Sequence, residues 1–450
     1  MTDLWIHPAT SPLRGIVPAA SDKSIVHRAI LFASLARGMS RITKARLGDD
    51  HRSTIGILRA MGVTIVANDA EGWVTIEGRG LEGLTAPETA LDCGNSGTTM
   101  RLVAGILAAQ RFQTTLIGDA SLSKRPMARI ATPLRLRGAR IEGVLNPRKV
   151  GEITPPLVVG PLPAPNVLSA IAYDIPIASA QVKGALLLSG LYSDGSTIVS
   201  EPNISRDHTE RMLASLGVPI RRIGAVVELD GASFSGELPA FELEAPGDLS
   251  AAAFLLAAAL LVPGSDVGVR GLSVNPTRTG FLELTRLMGA RFDIEHRGEA
   301  LGEPIGDVRT AAGALHGISM GGELVTRAID EIPILSVCAA RANGETVIGE
   351  ASELRVKESD RIASTVRMLR AFGVNADERV DGLVVEGVAD RPLEAATIDS
   401  EGDHRIAMAA SVLALTAKGP SRIRDVECIR TSFPRFVGTL KALGAHIEVA

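Results

Sequence analysis

The sequence predicts an α/β protein of two or more domains in which one helix–turn–strand unit recurs six times. The chain has 450 residues, which is more than a single compact core usually holds. Its residues are 46% hydrophobic but only 3% aromatic, so Ala, Val, Leu and Ile must fill the cores. Six segments also share a helical pattern that ends in Leu and Gly and leads into a β-rich stretch.

The repeated unit is recognised by the glycine that ends each helix. By subtraction, successive glycines lie 76, 79, 72, 84 and 71 residues apart, at positions Gly62, Gly138, Gly217, Gly289, Gly373 and Gly444. Helices commonly end on a left-handed residue, where Gly carries no steric penalty, and the apolar residues that follow start a strand. Helix–Gly–strand also occurs singly in any α/β protein, but the nearly constant period favours six repeats, three in each half.

The middle of the chain supplies a linker and a core helix. The repeats divide between Gly217 and Gly289, and the turn-rich segment 230–246 is the predicted linker. The apolar run 251–263 is shorter than the roughly 20 residues that span a bilayer, so it is predicted as a buried helix. Asp248 or Ser250 is expected to cap it.

Composition excludes several classes of protein. A net charge of −4 without a long basic run argues against a nucleic-acid partner. Cys93, Cys338 and Cys428 show no metal-ligand spacing, and no HExxH motif is present, so no metal site is expected. A sparse, odd cysteine count and an N-terminus without the plan of a signal peptide favour the cytoplasm and no membrane association.

Basic residues stand where several helices are predicted to start. A cation there is unfavourable by about 0.3–1 kcal/mol when exposed, unless a ligand supplies negative charge. Free amides and basic side chains together form an anion site, which implies a small substrate pair rich in phosphate and carboxylate. The alternative is that the bases pair with carboxylates such as Asp22, Asp207 and Asp403. The six predicted starts carry Lys23, Arg101, Lys124 with Arg125, Lys183, Arg206 and Arg405.

Two acidic segments are candidates for proton transfer. Asp330 and Glu331 lead into an apolar run, so they are expected at the mouth of a core helix. Lys357 and Arg361 are four residues apart, which places them on one helical face with Glu358 beside them. A solvated helix face has the same pattern. His27, His208 and His404 lie within basic motifs, but the sequence assigns them no proton.

Taken together, the motifs resemble those of the EPSP synthase (3-phosphoshikimate 1-carboxyvinyltransferase) family, in family order over nearly the whole chain. The resemblance implies two similar domains, each of three βαβαββ units in an inside-out α/β barrel, with residues 1–21 and 246–450 in one domain, 22–245 in the other, and a hinge near 20–22 and 243–247. The matching motifs are SDKSIVHR from Ser21, GNSGTTMR from Gly94, SKRPM from Ser123, ASAQVK from Ala178, SRDHTERML from Ser205, NPTRTG from Asn275, IDEIPIL from Ile329, LRVKESDR from Leu354 and DHRIAM from Asp403.

The resemblance also implies the substrate contacts. Shikimate 3-phosphate is expected to contact Lys23, Ser24, Arg28, Ser179, Ala180, Gln181, Arg206, Asp330 and Lys357. Phosphoenolpyruvate is expected to contact Lys23, Gly97, Arg125, Gln181, Arg361 and Arg405. Ala180 departs from the family's serine pair, which removes one hydroxyl contact. Thr431 and Ser432 replace the Lys that many relatives have before Phe-Pro.

The implied reaction transfers the carboxyvinyl group by addition and elimination through a tetrahedral ketal. Asp330 is the expected base for the 5-hydroxyl, and Glu358 the expected acid for the methylene carbon, with Lys23 as a competing candidate. No cofactor is implied. The protein is expected to be a monomer, with its active site in a cleft that closes when the ligands bind. The alternatives are a UDP-N-acetylglucosamine enolpyruvyl transferase, which has Lys-Asn in place of Lys23-Ser24 and uses a loop Cys, and a non-catalytic anion-binding protein on the same scaffold.

Overall fold

A computed structural model describes residues 2–147, 149–389 and 391–450 of the chain. By contact, the chain divides into two compact units. The N-terminal unit comprises Lys23–Ala245 and Glu299–Glu303; the C-terminal unit comprises the residues up to Asp22, Pro246–Gly298 and Pro304–Ala450. The first boundary lies one residue after the expected one, and the sequence did not indicate the segment Glu299–Glu303. Each unit has its own apolar core.

The described residues contain thirteen α-helices. They are α1 Lys23–Leu35, α2 Asp49–Ala60, α3 Gly97–Leu107, α4 Ala128–Leu136, α5 Ala180–Gly190, α6 His208–Ser215, α7 Leu249–Leu261, α8 Gly280–Leu287, α9 Gly322–Arg327, α10 Ile332–Ala340, α11 Arg361–Ala371, α12 His404–Ala414 and α13 Phe436–Ala442. Among them, none is long and apolar enough to cross a bilayer.

The described residues also contain twenty-five strands. The first fifteen are β1 Leu4–Ile6, β2 Arg14–Pro18, β3 Ala36–Thr43, β4 Thr64–Asn68, β5 Trp73–Arg79, β6 Leu91–Asp92, β7 Thr114–Ile117, β8 Ile141–Leu145, β9 Ile153–Val159, β10 Ile171–Asp174, β11 Ser196–Ser200, β12 Ile220–Ile223, β13 Val226–Asp230, β14 Leu238–Pro239 and β15 Glu242–Glu244. The others are β16 Asp266–Ser273, β17 Phe292–Ala300, β18 Glu303–Ala311, β19 Ser319–Met320, β20 Glu345–Ile348, β21 Asn375–Arg379, β22 Gly382–Glu386, β23 Thr397–Asp399, β24 Ser421–Arg424 and β25 Ile447–Val449.

The strands form six small sheets, three in each unit. The N-terminal unit holds β14-β3-β5-β4, β6-β7-β9-β8 and β10-β11-β13-β12, with β15 also paired to β3. The C-terminal unit holds β2-β16-β18-β17, β19-β20-β22-β21 and β23-β24-β1-β25. In each sheet a parallel pair adjoins an antiparallel neighbour, as in β6 with β7 and β7 with β9. The recurrence confirms the predicted α/β fold of six repeats, although β14 and β15 lie within the segment expected to be only a linker.

Six inner helices precede the central strands and are largely buried: α1, α3, α5, α7, α10 and α12. The predicted core helix is α7, whose residues from Leu249 to Leu260 are all buried. Its cap is Asp248, which accepts a hydrogen bond from the Ser250 amide at 2.8 Å. Ala and Leu let such a helix bury every face, because neither carries a polar group that needs a partner.

Six outer helices end on the six glycines that the repeat predicted. The φ angles of these glycines lie between +79° and +110°. In the first copy, the Gly62 amide donates to Arg59 O and the Val63 amide donates to Leu58 O, and the same paired bonds close the other five helices. This is the Schellman motif, which needs a left-handed residue and so selects Gly. The helices concerned are α2, α4, α6, α8, α11 and α13.

Candidate active site

In the N-terminal unit, hydrogen bonds join the starts of two inner helices. Ser96 caps α3 by accepting from the Thr99 amide, and Ser179 caps α5 by accepting from the Val182 amide. The Gln181 side chain donates to Thr98 Oγ1 at 2.9 Å and accepts from Arg101 Nη1 at 2.8 Å. Free amides of two helices and a guanidinium therefore lie at one place, which is the composition of an anion site.

Lys23 opens α1 and is positioned by the start of α2. Its Nζ lies 2.5 Å from Asp50 Oδ2. His51 Nδ1 accepts from the Gly48 amide at 3.1 Å, so Nε2 carries the ring proton and donates to Lys23 O at 3.0 Å. Sequence reasoning missed Asp50 and His51. Their only signal was an acidic first turn, which is ordinary at a helix start.

A buried chain of hydrogen bonds fixes α1, α2 and α3 against one another. His27 Nδ1 lies 2.9 Å from Thr54 Oγ1, which lies 2.7 Å from Thr99 Oγ1, which in turn donates to Ser96 Oγ. Burial lowers the pKa of His27 well below its ordinary value, and the charges of Lys23 and Arg28 add to this effect. The ring is therefore neutral and acts as a structural link.

Gly97 makes room for two guanidinium groups at the start of α3. A Cβ at this position would lie 2.6 Å from Arg101 Nη1 and 3.2 Å from Arg125 Nη1. Arg125 Nη2 also donates to Asn95 Oδ1 at 2.6 Å, which holds the side chain over the helix start. Arg101 is a third residue that the predicted site omitted, although it lies within the GNSGTTMR motif.

The other predicted shikimate 3-phosphate contacts of this unit lie on or before the same elements. Arg28 donates to Thr209 Oγ1 at 2.7 Å and to Ser24 O at 3.1 Å. Ser24 is half-buried in the first turn of α1, and Ala180 opens α5. Arg206 is half-buried in the segment before α6.

Lys183 does not behave as the helix-start pattern predicted. Its Nζ lies 2.7 Å from Glu201 Oε2 and 2.8 Å from Glu210 Oε1, and all three side chains are buried. Burial by itself lowers the pKa of Lys183, but Glu210 and Glu201 raise it above its ordinary value. Because carboxylates already neutralise it, Lys183 holds α5 to α6, and the carboxylate alternative is correct for this residue.

Several local predictions of helix starts were also wrong. Arg125 was expected at a helix start, but it is extended and follows the 3-10 turn Leu122–Lys124, and α4 begins only at Ala128. Arg101 lies in the second turn of α3, not the first. Asp207 accepts from Arg211 and Arg222, at 2.9 Å each. Glu210, in the first turn of α6, binds Lys183.

In the C-terminal unit, a buried arginine donates hydrogen bonds to three carboxylates. Arg361 opens α11 and donates to Asp403 Oδ2 at 2.8 Å, Asp330 Oδ1 at 3.1 Å and Glu358 Oε2 at 2.6 Å. Burial by itself lowers the pKa of Arg361, but Asp403, Glu358 and Asp330 raise it above its ordinary value. Asp403 also caps α12 by accepting from the Arg405 amide at 2.9 Å. The starts of α11 and α12 are thereby joined.

Asp330 is the carboxylate that three cations approach. Besides Arg361, Lys357 Nζ lies 3.8 Å from Asp330 Oδ1 and Arg405 Nη2 lies 4.0 Å from Asp330 Oδ2. The spacing predicted that Lys357 and Arg361 share a helical face, and this was wrong. Lys357 follows the 3-10 turn Ser352–Val356 and precedes α11, so it is not part of a helix. The two side chains meet through Asp330 instead.

A second buried arginine, Arg278, fixes the starts of α7 and α10. It donates to Asp248 Oδ1 and Ser250 Oγ at 2.8 Å each, and lies 3.5 Å from Asp22 Oδ2. Ser250 donates in turn to Glu331. Asp22 thus pairs with Arg278 within its own unit. The NPTRTG motif contains Arg278, but spacing alone could not identify its partners, which lie up to 256 residues away.

The comparisons agree on one family. The EPSP synthase (3-phosphoshikimate 1-carboxyvinyltransferase) family model matches residues 8–440. The chain is 47% identical to a 3-phosphoshikimate 1-carboxyvinyltransferase of Geobacter sulfurreducens over 98% of this chain and 99% of the relative. It is 47% identical to that of Acidithiobacillus ferrooxidans over all of both chains.

Solved structures give the same result for the fold. An EPSP synthase of Acinetobacter baumannii superposes with a TM-score of 0.86 at 41% identity, covering all of both chains. The enolpyruvyl transferase NikO of Streptomyces tendae superposes with a TM-score of 0.75 over 100% of this chain and 99% of the other. At 17% identity, the likeness to NikO concerns the fold alone.

Proposed function

Because the chain belongs to the EPSP synthase family, we propose that the residues around Lys23 and those around Arg361 bind its two substrates and move its protons. The chain is a transferase of the shikimate pathway, which moves the enolpyruvyl group of phosphoenolpyruvate to the 5-hydroxyl of shikimate 3-phosphate and releases phosphate. The proposal concerns which residues perform each step. The observation that carries it is the approach of three cations to Asp330.

In this proposal shikimate 3-phosphate is bound mainly by the N-terminal unit. Lys23, Ser24, Arg28 and Arg206 supply charge and a hydroxyl, and Ser179, Ala180 and Gln181 supply the start of α5. Ala180 contributes no hydroxyl, so its contact is limited to its backbone and methyl group. Asp330 and Lys357 of the C-terminal unit complete the set.

Phosphoenolpyruvate is bound, in the same proposal, by Lys23, Gly97, Arg125, Gln181, Arg361 and Arg405. Gly97 acts through its amide and its missing side chain, because the space of a Cβ is taken by the Arg101 and Arg125 guanidinium groups. Guanidinium groups suit phosphate and carboxylate because they donate two parallel hydrogen bonds. Preorganised cations also stabilise the charge that develops when phosphate leaves.

Asp330 is the proposed base. Its carboxylate accepts the proton of the 5-hydroxyl as that oxygen bonds to C2 of phosphoenolpyruvate. Lys357, Arg361 and Arg405 stabilise the negative charge of the Asp330 carboxylate. The phosphate and carboxylate groups of the bound substrates compete with Asp330 for the same cations. Substrate binding therefore makes Asp330 a better proton acceptor at the moment of reaction.

Glu358 is the proposed acid for the methylene carbon, which becomes a methyl group in the tetrahedral ketal. Its Oε2 lies 2.6 Å from Arg361 Nη2, which fixes the carboxyl group beside that of Asp330. Lys23 is the competing donor, because its ammonium group already carries a proton. Elimination then removes a proton from the methyl group, restores the double bond and expels inorganic phosphate.

A phosphate-release assay with both substrates tests this assignment. We expect Lys23→Met to reduce phosphate release by at least about 100-fold, since it removes a charge that contacts both ligands, each such contact being worth about 1.5–3 kcal/mol. The far-ultraviolet circular dichroism should stay that of the wild type. Lys418→Met is the matched control, because Lys418 forms an exposed ion pair with Glu394 at 2.7 Å. Near-normal turnover in Lys23→Met, or an equal loss in the control, would contradict the assignment.

We also propose that the enzyme acts as a monomer in the cytoplasm. One chain contains every residue assigned to the substrates. The three cysteines are free, which suits a reducing compartment. Sedimentation equilibrium that gave a mass of two chains at working concentration would reject the monomer.

A further inference from the structure

Three metal-ligand side chains lie together on one exposed sheet face of the C-terminal unit. His7 directly follows β1, and His446 directly precedes β25. The His7 amide donates to His446 O at 3.0 Å, so the two residues are opposite one another across the strands. Glu448 lies two residues beyond His446, and alternate residues of a strand share a face. Their ligand atoms all lie within 4.8 Å of one another.

The distances match those of a tetrahedral metal site. His7 Nε2 lies 3.0 Å from Glu448 Oε1, and His446 Nε2 lies 3.6 Å from the same oxygen. Zinc binds imidazole nitrogen and carboxylate oxygen at about 2.0–2.2 Å, which in a tetrahedron separates the ligand atoms by about 3.3 Å. The two imidazole rings are stacked, with centroids 4.0 Å apart and planes inclined by 13°. Because the lone pair of an imidazole nitrogen lies in the ring plane, the exposed His446 side chain must rotate out of this stack for both nitrogens to face one ion.

The backbone beneath the three side chains is fixed. Ile6 pairs with Ile447 in the β1–β25 ladder, and both side chains are buried in the core of the unit. The ligands themselves are open to solvent, since the side chains of His7, His446 and Glu448 are 27%, 66% and 58% exposed. An ion could therefore enter the group without any movement of the sheet.

We propose that His7, His446 and Glu448 bind one divalent transition-metal ion of the zinc type. Each imidazole, with its proton on Nδ1, donates the Nε2 lone pair, the carboxylate donates an oxygen pair, and water occupies the remaining position. Two nitrogens favour Zn²⁺, Co²⁺, Ni²⁺ or Cu²⁺, because Mg²⁺ and Ca²⁺ prefer oxygen ligands throughout. None of the three residues is assigned to the substrates.

The bound ion would fasten the last strand of the sheet. In the order of this sheet, within the part of the chain that the structure describes, β25 is an edge strand that pairs with β1. An ion that binds the folded chain alone raises its stability by mass action. A simple surface ion pair between His7 and Glu448 would contribute at most about 1 kcal/mol and would require no metal.

The test uses the full-length chain without a histidine tag, stripped with a chelator and titrated with ZnCl₂ in a calorimeter. We expect one Zn²⁺ per chain and at least about tenfold weaker binding in His446→Ala and Glu448→Ala, because even indirect partners of metal ligands contribute about 10- to 100-fold. His296→Ala is the control, since His296 is an exposed histidine on β17. Zn²⁺ should raise the melting temperature of the wild type and the control only.

A further variant and a second ion complete the test. His446→Cys should restore binding, and its Co²⁺ complex should show thiolate charge-transfer absorption. Enolpyruvyl transfer should stay unchanged in every variant, so failure here is distinguishable from failure of the proposed active site. The proposal is overturned if the wild type binds no Zn²⁺ saturably, or if His446→Ala and Glu448→Ala bind it as the wild type does. Loss of binding in His296→Ala would overturn it as well.

Discussion

At the scale of single residues, the positions of charged side chains depend on partners that are distant in the chain. Lys23 contacts Asp50, and Arg278 contacts Asp22 and Asp248. The sequence motifs contain Lys23, Arg278 and Asp22 but could not identify these pairs, since electrostatic contact depends on three-dimensional distance and not on spacing. Lys183 shows the consequence, because two distant glutamates convert an expected ligand contact into an internal ion pair.

Adding a single methyl group at Gly97 should weaken the binding of phosphoenolpyruvate without changing the stability of the fold. In Gly97→Ala the added Cβ would displace the end of the flexible Arg101 side chain, so folding should be nearly unaffected. Loss of one charge-assisted contact, worth about 1.5–3 kcal/mol, should raise the KM for phosphoenolpyruvate by about 10- to 100-fold. Steady-state kinetics at saturating shikimate 3-phosphate measure this change.

The control for Gly97→Ala is Gly438→Ala. Gly438 lies in α13, and no atom lies within 4 Å of the position of its Cβ. Its KM should equal that of the wild type. If Gly97→Ala also had a wild-type KM, Gly97 would have no part in binding phosphoenolpyruvate.

His27 should make the protein less stable in mild acid. Burial holds its pKa in the folded protein well below that in the unfolded chain, which is about 6.5. The unfolded chain therefore binds a proton first, and the free energy of unfolding falls as the pH drops below about 6.5. Denaturant titrations between pH 6.5 and 5 measure this change. As the pH falls, the free energy of unfolding should decrease more steeply in the wild type than in His27→Asn, by up to about 1.4 kcal/mol per pH unit. Parallel slopes would show that His27 does not titrate in this way.

At the scale of elements, the ends of helices were more predictable than their starts. The six terminal glycines follow from a local backbone requirement, and all six adopt the predicted left-handed conformation. Starts depend on tertiary context. Lys357 follows a 3-10 turn and α4 begins two residues after Pro126, because neighbouring strands and caps decide where regular hydrogen bonding begins.

A Gly→Ala substitution should have opposite effects on stability at a glycine of a Schellman motif and at an ordinary glycine inside a helix. Gly217 has a φ of +82° and open space around its Cβ position, so Gly217→Ala adds strain without a clash. We expect a loss of about 1–2 kcal/mol in the free energy of unfolding. Gly56→Ala, in the exposed middle of α2, should instead gain about 0.5–1 kcal/mol. Chemical denaturation measures both, and an equal effect at the two sites would contradict the role of the left-handed cap.

At the scale of the whole molecule, one repeated architecture carries two different sets of charged side chains. In each unit, three sheets accompany three buried helices whose starts carry polar groups. The N-terminal unit carries Lys23, Arg28, Arg101 and Arg125 on or near these starts, whereas the C-terminal unit has arginines together with the proposed base and acid. The period of the sequence predicted the repeats. It could not predict that Glu299–Glu303 belongs to the N-terminal unit, where Glu303 meets His208, because that depends on a contact 95 residues apart.

The central proposal is that the same substrates bind to cations of both units, and calorimetric binding of shikimate 3-phosphate tests it most directly. Arg28→Ala removes a cation of the N-terminal unit, and Lys357→Ala removes one of the C-terminal unit. We predict that each variant weakens binding by at least about tenfold, since a charged hydrogen bond contributes about 1.5–3 kcal/mol, while Lys418→Ala binds as the wild type does. Wild-type affinity in either Arg28→Ala or Lys357→Ala would contradict the claim.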